Sequence, residues 1–367
     1  MLLFKGLRNQ LLVPLQSVCG IVEKRHTLPI LSNVLLEKNG GDITLLATDI
    51  EIQITTRTQA AEGENASITV GARKMQDILR SLPESAEVSL TLDDKKLQLK
   101  AGKSRFNLQT LPADDFPKMV RSEGKSTKFT VPQKQLKQLF SLVQYAMAQQ
   151  DIRYYLNGLL LVTKENTLRV VTTDGHRLAY AVEALPGVVE SMEVILPRKT
   201  VLELSRQLTD SEDPIEITLT QNQACFSFNN IEFVSKLIDG KFPDYERVIP
   251  KNHGKVIKLK RELLLGSLQR VAILTNEKFR GVRLVLGENS LKIIANNTEQ
   301  EEAQEELEID YSGEALDIGF NVTYLLDVLN NINQEDIELH LTDAASSALF
   351  VLPGNDYFKY VVMPMRI

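Results

Sequence analysis

Asp174 and His176 are the residues whose types and spacing could do chemistry. They lie two positions apart beside Arg177, in the stretch TTDGHRLAYA (172–181), where a polar turn separates two apolar runs. An Asp/His pair can serve acid–base or nucleophilic catalysis when a nucleophile or metal and an orienting group lie within reach. The same residues also suit a plain turn, because Asp side chains bond neighbouring backbone groups and Gly permits a chain reversal.

The rest of the chain offers little to complete a catalytic site. No nucleophile elbow, phosphate-binding loop or metal-ligand spacing occurs in the sequence, and the four histidines lie far apart. Cys19 and Cys225 sit among apolar neighbours, which favours core residues in a reducing compartment over a disulfide or reactive thiol. We expect a protein without catalytic residues, metal or cofactor, with a DNA-acting hydrolase using Asp174 and His176 as the competing hypothesis.

Composition indicates an ordinary globular protein. The 367 residues are 43% hydrophobic and 25% charged, enough chain for two or three domains. Charged residues interrupt the apolar N-terminus at Lys5 and Arg8, and no run reaches the ~18 apolar residues that a membrane span needs. We expect a cytoplasmic protein with no membrane partner. The net charge of −6 taken alone argues against a nucleic-acid partner.

An internal repeat places the Asp174 turn in context. Three stretches, 29–52, 155–178 and 279–300, each contain an apolar strand, a polar turn, a second apolar strand and then a small polar pair. A second set of anchors marks a strand entering a helix. The matched residues, spaced 125 and 123 apart in both sets, are Asp49, Asp174 and Asn297, and Arg73, Arg198 and Asn321. Phe116-Pro117 and Phe242-Pro243 add a third anchor. The chain therefore reads as three domains, 1–125, 126–252 and 253–367.

Each copy is predicted to be α+β, with two helices packed on antiparallel sheet. Leu136, Leu139, Phe140 and Val143 recur at helical spacing, and alternating strands with tight turns follow the second helix of a copy. The predicted helices are Lys5–Val22, Arg73–Leu82, Gln133–Ala148, Arg198–Leu208, Lys260–Leu274 and Thr323–Ile332. They carry 13 basic and 4 acidic residues in a chain with 42 basic and 48 acidic residues. This bias points to a polyanion such as DNA held through its phosphates, although lysine-rich surface helices are the simpler alternative.

Several stretches closely resemble one family over nearly the whole chain. RHTLPILSNVLL, QQDIRYYLNGLLL, TTDGHRLA, KLIDGKFPDYERVIPKN and YVVMPMRI resemble the bacterial DNA polymerase III beta subunits, the bacterial sliding clamps; the first fifteen or so residues are the least typical. The resemblance implies a head-to-tail homodimer whose six domains close into a ring around double-stranded DNA. It also implies a non-catalytic processivity factor that tethers DNA polymerases, the clamp loader and other replication and repair proteins through short peptide motifs.

The resemblance also assigns residues to these roles. DNA contacts are implied for Arg25, Arg73, Arg80, Arg105, Gln150, Arg153, Tyr154, Tyr155, Arg198 and Lys199. Tyr154 and Tyr155 could instead be core aromatics. A partner-peptide pocket is implied for Leu156, Thr173, Gly175, His176, Arg177, Leu178, Pro243, Arg247, Val248, Ser347, Val361, Met363, Pro364, Met365 and Arg366. The two terminal methionines fit an adaptable surface, whereas the preceding KYVV reads as a last core strand.

The dimer seam is expected from the resemblance and from charge. The resemblance brings Phe106 and Leu108 of copy one to Ile273 and Leu274 of copy three. Basic residues of copy one complement acidic residues of copy three, as unlike ends of a head-to-tail dimer should. These are Lys74, Lys96, Lys103 and Arg105 on one side, and Glu299, Glu301, Glu302 and Glu305 on the other. Taken alone, the acidic segment would read as a solvated surface.

Overall fold

A computed structural model describes residues 1–23, 28–59, 64–93, 95–122, 124–251 and 254–367 of the chain. The chain folds into two compact units, residues 1–134 with 202–237, and residues 135–201 with 238–367. Every strand pair in the described residues is antiparallel, and helices pack against the sheets, so the predicted α+β class is confirmed.

The first unit contains one twelve-stranded sheet and two helices. Its strands are β1 (Leu2–Leu7), β2 (Asn33–Asn39), β3 (Asp42–Thr48), β4 (Ile52–Gln59), β5 (Ala66–Gly71), β6 (Glu87–Asp93), β7 (Lys96–Ala101), β8 (Ser104–Pro112), β9 (Thr127–Pro132), β14 (Pro214–Leu219), β15 (Gln223–Phe228) and β16 (Ile231–Lys236). The strand order is β1-β6-β7-β8-β5-β2-β3-β4-β16-β15-β14-β9. The helices are α1 (Arg8–Cys19) and α2 (Ala72–Ser81), with 3-10 turns at Pro29–Ser32 and Ala113–Asp115.

Helix α1 shows how the core of this unit forms. Leu11, Leu15 and Val18 recur on one face, are fully buried, and pack on β3 and β4. The Thr56 hydroxyl of β4 donates to the Pro14 carbonyl of α1 at 3.2 Å, so the polar side chain on the buried face is satisfied.

Two helices contain the points where the chain passes between the units. Helix α3 (Gln133–Val143) begins in the first unit and ends in the second, and helix α4 (Arg198–Gln207) does the reverse. A 3-10 turn at Gln144–Ala146 follows α3, and another lies at Tyr154–Leu156.

The second unit contains an eight-stranded and a four-stranded sheet. Its strands are β10 (Gly158–Lys164), β11 (Thr167–Thr173), β12 (Arg177–Ala184), β13 (Met192–Pro197), β17 (Lys255–Lys260), β18 (Gly281–Gly287), β19 (Ser290–Asn296), β20 (Glu302–Glu308), β21 (Leu316–Asn321), β22 (Asp336–Leu341), β23 (Ala348–Leu352) and β24 (Asn355–Val362). The orders are β13-β10-β11-β12-β24-β23-β22-β17 and β20-β19-β18-β21. The helices are α5 (Tyr245–Val248), α6 (Arg261–Val271) and α7 (Val322–Asn331), with a 3-10 turn at Ala272–Leu274.

The three-fold repeat is visible in the turns after β3, β11 and β19. Asp49, Asp174 and Asn297 each follow the last strand residue. In each case the side-chain Oδ1 accepts backbone N–H bonds: from Glu51 and Ile52 at 3.0 and 2.7 Å, from His176 and Arg177 at 2.9 and 3.1 Å, and from Glu299 and Glu301 at 3.0 and 3.0 Å. The predicted turn chemistry of the three matched residues is therefore confirmed.

Some predicted helix limits were wrong. Leu2–Leu7 forms strand β1, so the first helix starts at Arg8 and not at Lys5. The third and fifth predicted helices end early, at Val143 and Val271, where each tightens into a 3-10 turn. Periodicity alone could not separate the last helical turn from the 3-10 turn that continues the same apolar face.

Copies join through matched strand pairs, here called seams. In the first unit β4 pairs with β16, with Ile54 opposite Phe233. In the second unit β12 pairs with β24, with Ala179 opposite Tyr360. Both aromatic residues are fully buried. Each seam therefore continues a sheet from one copy into the next by backbone hydrogen bonds.

Neither a membrane-spanning helix nor a metal-binding cluster occurs among the described residues. Among these residues, no helix is long and apolar enough to cross a membrane. Within the same described ranges, no group of three or more His, Cys, Asp or Glu side chains is arranged to hold a metal ion.

Candidate functional site

The turn after β11 is fixed by its own hydrogen bonds. Asp174 Oδ1 accepts from the backbone N–H groups of His176 and Arg177. The Thr173 hydroxyl donates to the Arg177 carbonyl at 2.6 Å and accepts from the Gly175 N–H at 3.1 Å. Gly175 adopts a φ of 90°, which favours a residue without a Cβ. The His176 side chain consequently projects from a rigid support into solvent.

The same contacts argue against an Asp/His catalytic pair. One oxygen of the Asp174 carboxylate holds the turn, and the other accepts from Arg177 Nε at 3.2 Å. Asp174 therefore serves the backbone and Arg177, and it does not orient the imidazole as a triad carboxylate does.

The strand that follows this turn enters the hydrophobic core at once. Leu178 on β12 stands opposite Val361 on β24, and these residues are 2% and 1% exposed. Both belong to a buried cluster of the second unit that also contains Phe242 and Tyr245. Leu156, which was also predicted for the peptide pocket, is 2% exposed.

Other residues predicted for the peptide pocket are at least partly exposed. Val248 is 45% exposed and Met363 is 49% exposed, while Pro243 is exposed and Ser347 half-buried. Arg247 is largely exposed and pairs with Asp244 at 2.8 Å. All fifteen residues predicted for the peptide pocket belong to the second unit, although Arg177 points inward and not toward solvent.

The C-terminal tail, Met363–Ile367, is fixed at two points. The Met363 N–H donates to the His176 carbonyl at 2.9 Å, and the Met365 N–H donates to the Gly319 carbonyl at 2.8 Å. A Cβ built on Gly319 would lie 2.5 Å from the Met365 carbonyl oxygen and 2.8 Å from the Ile367 side chain. Glycine is therefore required on β21 for the tail to approach.

Arg153 lies against the same turn. Its guanidinium bonds Asp151 and donates to the Asp174 carbonyl at 3.2 Å, and it lies over Gly175. The hydrogen bonds from Arg153 lower the pKa of Asp151 to about 2, so this carboxylate stays ionised at neutral pH. Arg153 was predicted as a DNA contact, and the structure places it against the turn that contains Asp174 and Gly175.

The remaining predicted DNA contacts are spread over several elements. On their helices, Arg80 and Lys199 are exposed, whereas Arg73 and Arg198 are half-buried. Arg73 donates to the Val22 carbonyl at 2.5 Å. The six helices longer than one turn carry eleven basic and four acidic residues within their observed bounds, so the positive bias persists.

Burial lowers the pKa of Arg198, with a further contribution from Arg177, and its guanidinium donates to the Met147 carbonyl at 3.3 Å. Gln150 and Arg105 are exposed, and Arg25 lies outside the described residues. Tyr155 packs against the core cluster of the second unit, while Tyr154 is 58% exposed. Of the two tyrosines, Tyr154 is the one placed to meet a ligand.

The predicted interface residues lie on strands, helices and turns of both units. In the first unit, Phe106 and Leu108 on β8 are half-buried, and Lys74, Lys96, Lys103 and Arg105 are exposed. In the second unit, Ile273 is 78% exposed, Leu274 is half-buried, and Glu299, Glu301 and Glu302 are exposed.

Glu305 already has partners within its own unit. It accepts two bonds of 2.7 Å from Arg270 and one of 3.2 Å from Ser267. Hydrogen bonding from Arg270 lowers the pKa of Glu305. Arg270 therefore fixes the position of one predicted interface carboxylate.

Sequence reasoning missed the layer beneath the turn. Asp327 accepts from Arg177 Nη1 at 2.5 Å, and the ring of Tyr324 lies 4.5 Å from the guanidinium carbon. Asp327 is the only charged residue in the sequence of α7. A single carboxylate on an otherwise uncharged helix was the available signal.

Three repeated α+β domains and helices with a basic bias define a DNA-clamp type of protein. Models of the DNA polymerase III beta subunit match the chain three times: the N-terminal domain at residues 2–120, the central domain at 130–244 and the C-terminal domain at 246–366. The chain therefore belongs to the DNA polymerase III beta subunit family, the beta sliding clamps.

Individual relatives agree over almost the full length. The beta sliding clamp of Pseudomonas putida is 51% identical over 362 residues, 98% of each chain, and that of Escherichia coli K12 is 46% identical over 361 residues, again 98% of each. The crystal structure of the DNA polymerase III subunit beta from Pseudomonas aeruginosa matches with a TM-score of 0.95 at 47% identity, covering 99% of this chain and 100% of that one. A Pseudomonas aeruginosa sliding clamp bound to griselimycin matches with a TM-score of 0.96 at 47% identity over 100% of both chains. The chain is a non-catalytic processivity clamp for DNA replication.

Proposed function

We propose that two copies of this chain close head to tail into a ring of six domains that encircles double-stranded DNA. The ring slides on the duplex and tethers DNA polymerases, the clamp loader and other replication and repair proteins through short peptide motifs. The domains are 1–125, 126–252 and 253–367. The proposed place of action is the bacterial cytoplasm, without a membrane partner.

Two strand edges that are unpaired in the described residues give the main support for this proposal. β4 of copy one pairs with β16 of copy two, and β12 of copy two pairs with β24 of copy three. Within the described residues, the matching strand of copy three, β20, pairs only with β19, and residues 104–109 of β8 pair only with β7. A second copy supplies the missing partner for each edge, and closure leaves neither edge exposed.

The repeat also determines the register of this third seam. Phe106 stands opposite Leu99 in its hairpin, as Phe233 stands opposite Phe226 and Tyr360 opposite Phe350. Phe106 is therefore the third member of the aromatic set that lies at each seam.

The partner of Phe106 follows in the same way. Ile54 and Ala179 pair with Ala47 and Thr172 in their hairpins, and Ala303 pairs with Ala295 in the corresponding hairpin of copy three. We accordingly place Phe106 opposite Ala303 of the second copy.

This register brings opposite charges together across the third seam. Antiparallel pairing from Phe106 and Ala303 sets Arg105 opposite Gln304. The residues that share a face of β20 with Gln304 are Glu302 and Glu306, because side chains alternate along a strand. Arg105 therefore lies within diagonal reach of both carboxylates.

Phosphate contacts support sliding. Arg80 and Lys199 are exposed on helices, and long basic side chains that bind phosphates hold DNA independently of its sequence. Many weak contacts of this kind let the duplex move, and topological linkage keeps the ring in place.

The surroundings of the Asp174 turn support peptide docking. Leu178 and Val361 are buried in the core of the second unit, while the unbranched Met363 side chain is 49% exposed. A thioether adapts to different apolar residues, which suits one pocket that serves many partners.

Retention on circular and linear DNA tests the proposed function. The protein would be loaded onto a nicked circular plasmid with a bacterial clamp loader and ATP, separated from free protein, and then treated with an enzyme that linearises half of the sample. We expect the protein to stay on the circle at high salt and to leave the linear DNA through its ends. Equal retention on both forms would contradict encirclement.

A further inference from the structure

The guanidinium of Arg177 is a buried cation directly beneath the docking turn. Its side chain is 9% exposed. Nε bonds Asp174 at 3.2 Å, Nη1 bonds Asp327 of α7 at 2.5 Å, and Nη2 donates to the Tyr145 carbonyl at 2.7 Å. All three nitrogens are therefore used inside the protein, and each bond reaches a different segment of the chain.

A tyrosine of α7 completes this cluster. The Arg177 guanidinium lies over the Tyr324 ring, 4.5 Å from its centroid. The Tyr360 hydroxyl of β24 donates to the Tyr324 carbonyl at 2.9 Å. Arg177 thus connects the docking turn to α7, and Tyr360 connects α7 to the strand that leads into the C-terminal tail.

The charge of Arg177 is permanent in this setting. Burial alone would lower its pKa, but Tyr360, Asp327 and Asp174 together raise it above its usual value. A buried cation of this kind needs its carboxylates, because removal of one partner leaves the charge poorly compensated.

Packing alone does not explain this arrangement. The matched residue at the first seam is Ile52, which is 1% exposed and uncharged. A buried isoleucine fills the position without the desolvation cost of a guanidinium. Departures from the simplest packing solution concentrate at functional sites.

We propose that Asp327 is a positioning residue for the peptide-docking pocket. Through Arg177 it holds the Asp174–Arg177 turn in the conformation that a partner peptide meets, so that His176 and the tail are in place before binding. Arg177 acts from beneath the pocket and does not contact the peptide. This inference rests on the proposed docking function.

Binding kinetics separate positioning from direct contact. If the turn must be in one conformation to bind, a variant that populates that conformation less often associates more slowly and dissociates at the native rate. A residue that touches the ligand has the opposite signature, because its loss accelerates dissociation.

The experiment uses the full-length protein and griselimycin, the compound bound to the Pseudomonas aeruginosa relative. Surface plasmon resonance gives both rate constants for the native protein, Asp327→Asn and His176→Ala. For Asp327→Asn we expect association about tenfold slower and unchanged dissociation. For His176→Ala we expect faster dissociation.

Asp336→Asn is the matched control. Asp336 forms an ion pair of 2.8 Å with Lys260 in the same unit, away from the docking turn. Its loss should leave both rate constants unchanged. If Asp327→Asn does not fold, Arg177→Lys replaces it, because lysine keeps the charge and loses the planar fork, and the same slow association is expected.

Two results overturn the proposal. Native association by Asp327→Asn, or by Arg177→Lys in its place, shows that the turn needs no anchor on α7. Faster dissociation at native association shows that the cluster contacts the ligand. If native protein and His176→Ala both fail to bind griselimycin, the docking pocket itself is overturned, and the inference with it.

Discussion

The first and second seams share a backbone but differ in the side chains that cover them. Lys236 donates to the Glu51 carbonyl at 2.9 Å in the first seam, and Met363 donates to the His176 carbonyl at 2.9 Å in the second. In the first seam the side chains of Glu51 and Lys236 form an ion pair of 3.1 Å. His176 and Met363 cannot form one, and their side chains remain exposed.

This difference separates what the repeat shares from what distinguishes the second seam. The turn, the strand pairing and the inter-strand bond are common to both seams. The covering side chains and the tail that follows β24 distinguish the second seam. The peptide docking that we propose there therefore depends on these side chains and the tail, and not on a change in backbone pairing.

Exchange of the covering pair should have the largest effect. His176→Glu with Met363→Lys recreates at the second seam the ion pair of the first. We expect griselimycin affinity to fall by about tenfold or more, roughly 1.4 kcal/mol, with little change in thermal unfolding. Calorimetric titration measures the affinity. Glu51→His with Lys236→Met is the control at the first seam. If the variant His176→Glu with Met363→Lys keeps the native affinity, then the side chains of His176 and Met363 do not form the pocket.

Displacement of the tail should have the next largest effect. Gly319→Ala places a Cβ 2.5 Å from the Met365 carbonyl oxygen, so the tail must shift. We expect affinity to fall about threefold to tenfold, the range of a lost backbone hydrogen bond. Gly287→Ala is the control, because a Cβ there meets no atom within 4 Å. Equal affinities of Gly319→Ala and Gly287→Ala would refute a role in binding for the contact between the tail and β21.

A smaller effect is expected at the turn of the first seam. Ile50 has a φ of 78° where the second seam has Gly175 at 90°. A β-branched residue is strained in this region, so Ile50→Gly should stabilise the protein by about 1 kcal/mol. Calorimetry should show the first unit unfolding about 2 °C higher. A lower transition would show that the isoleucine side chain contributes more than the strain costs.

The smallest effect is expected at Tyr145. Its carbonyl accepts from Arg177, whereas its buried hydroxyl has no hydrogen-bond partner among the described residues. Tyr145→Phe keeps the carbonyl and removes the unsatisfied group, so stability should be unchanged or higher by about 1 kcal/mol. Griselimycin affinity should remain native. A weaker complex would show that the hydroxyl supports the docking turn.

Much of the fold could be predicted from the sequence. The matched Asp49, Asp174 and Asn297 identified three copies, because side-chain capping of a turn is a local interaction that a short stretch determines. Helical spacing located α2, α4 and α7 to within a residue at each end. The first helix was predicted to begin three residues too early, at Lys5, since strand β1 forms by pairing with β6 through contacts distant in sequence.

The lower layer of the candidate site could not be predicted in this way. Arg177 and Asp327 are 150 residues apart, and their contact depends on how β12 and α7 pack in three dimensions. The resemblance likewise gave Arg153 a DNA role without its position against Gly175. The contact between the C-terminal tail and Gly319 depends on a close approach of two backbone segments. Such an approach leaves no periodic pattern in the sequence.

Cross-linking at the proposed third seam tests the central claim most directly. A chain with Phe106→Cys and Ala303→Cys, oxidised and analysed by non-reducing electrophoresis, should form covalent dimers, because directly opposed strand residues lie within disulfide reach. The offset pair Asn107→Cys with Ala303→Cys should cross-link poorly. Monomers of 41.2 kDa from the first pair, or equal cross-linking of both, would contradict the account.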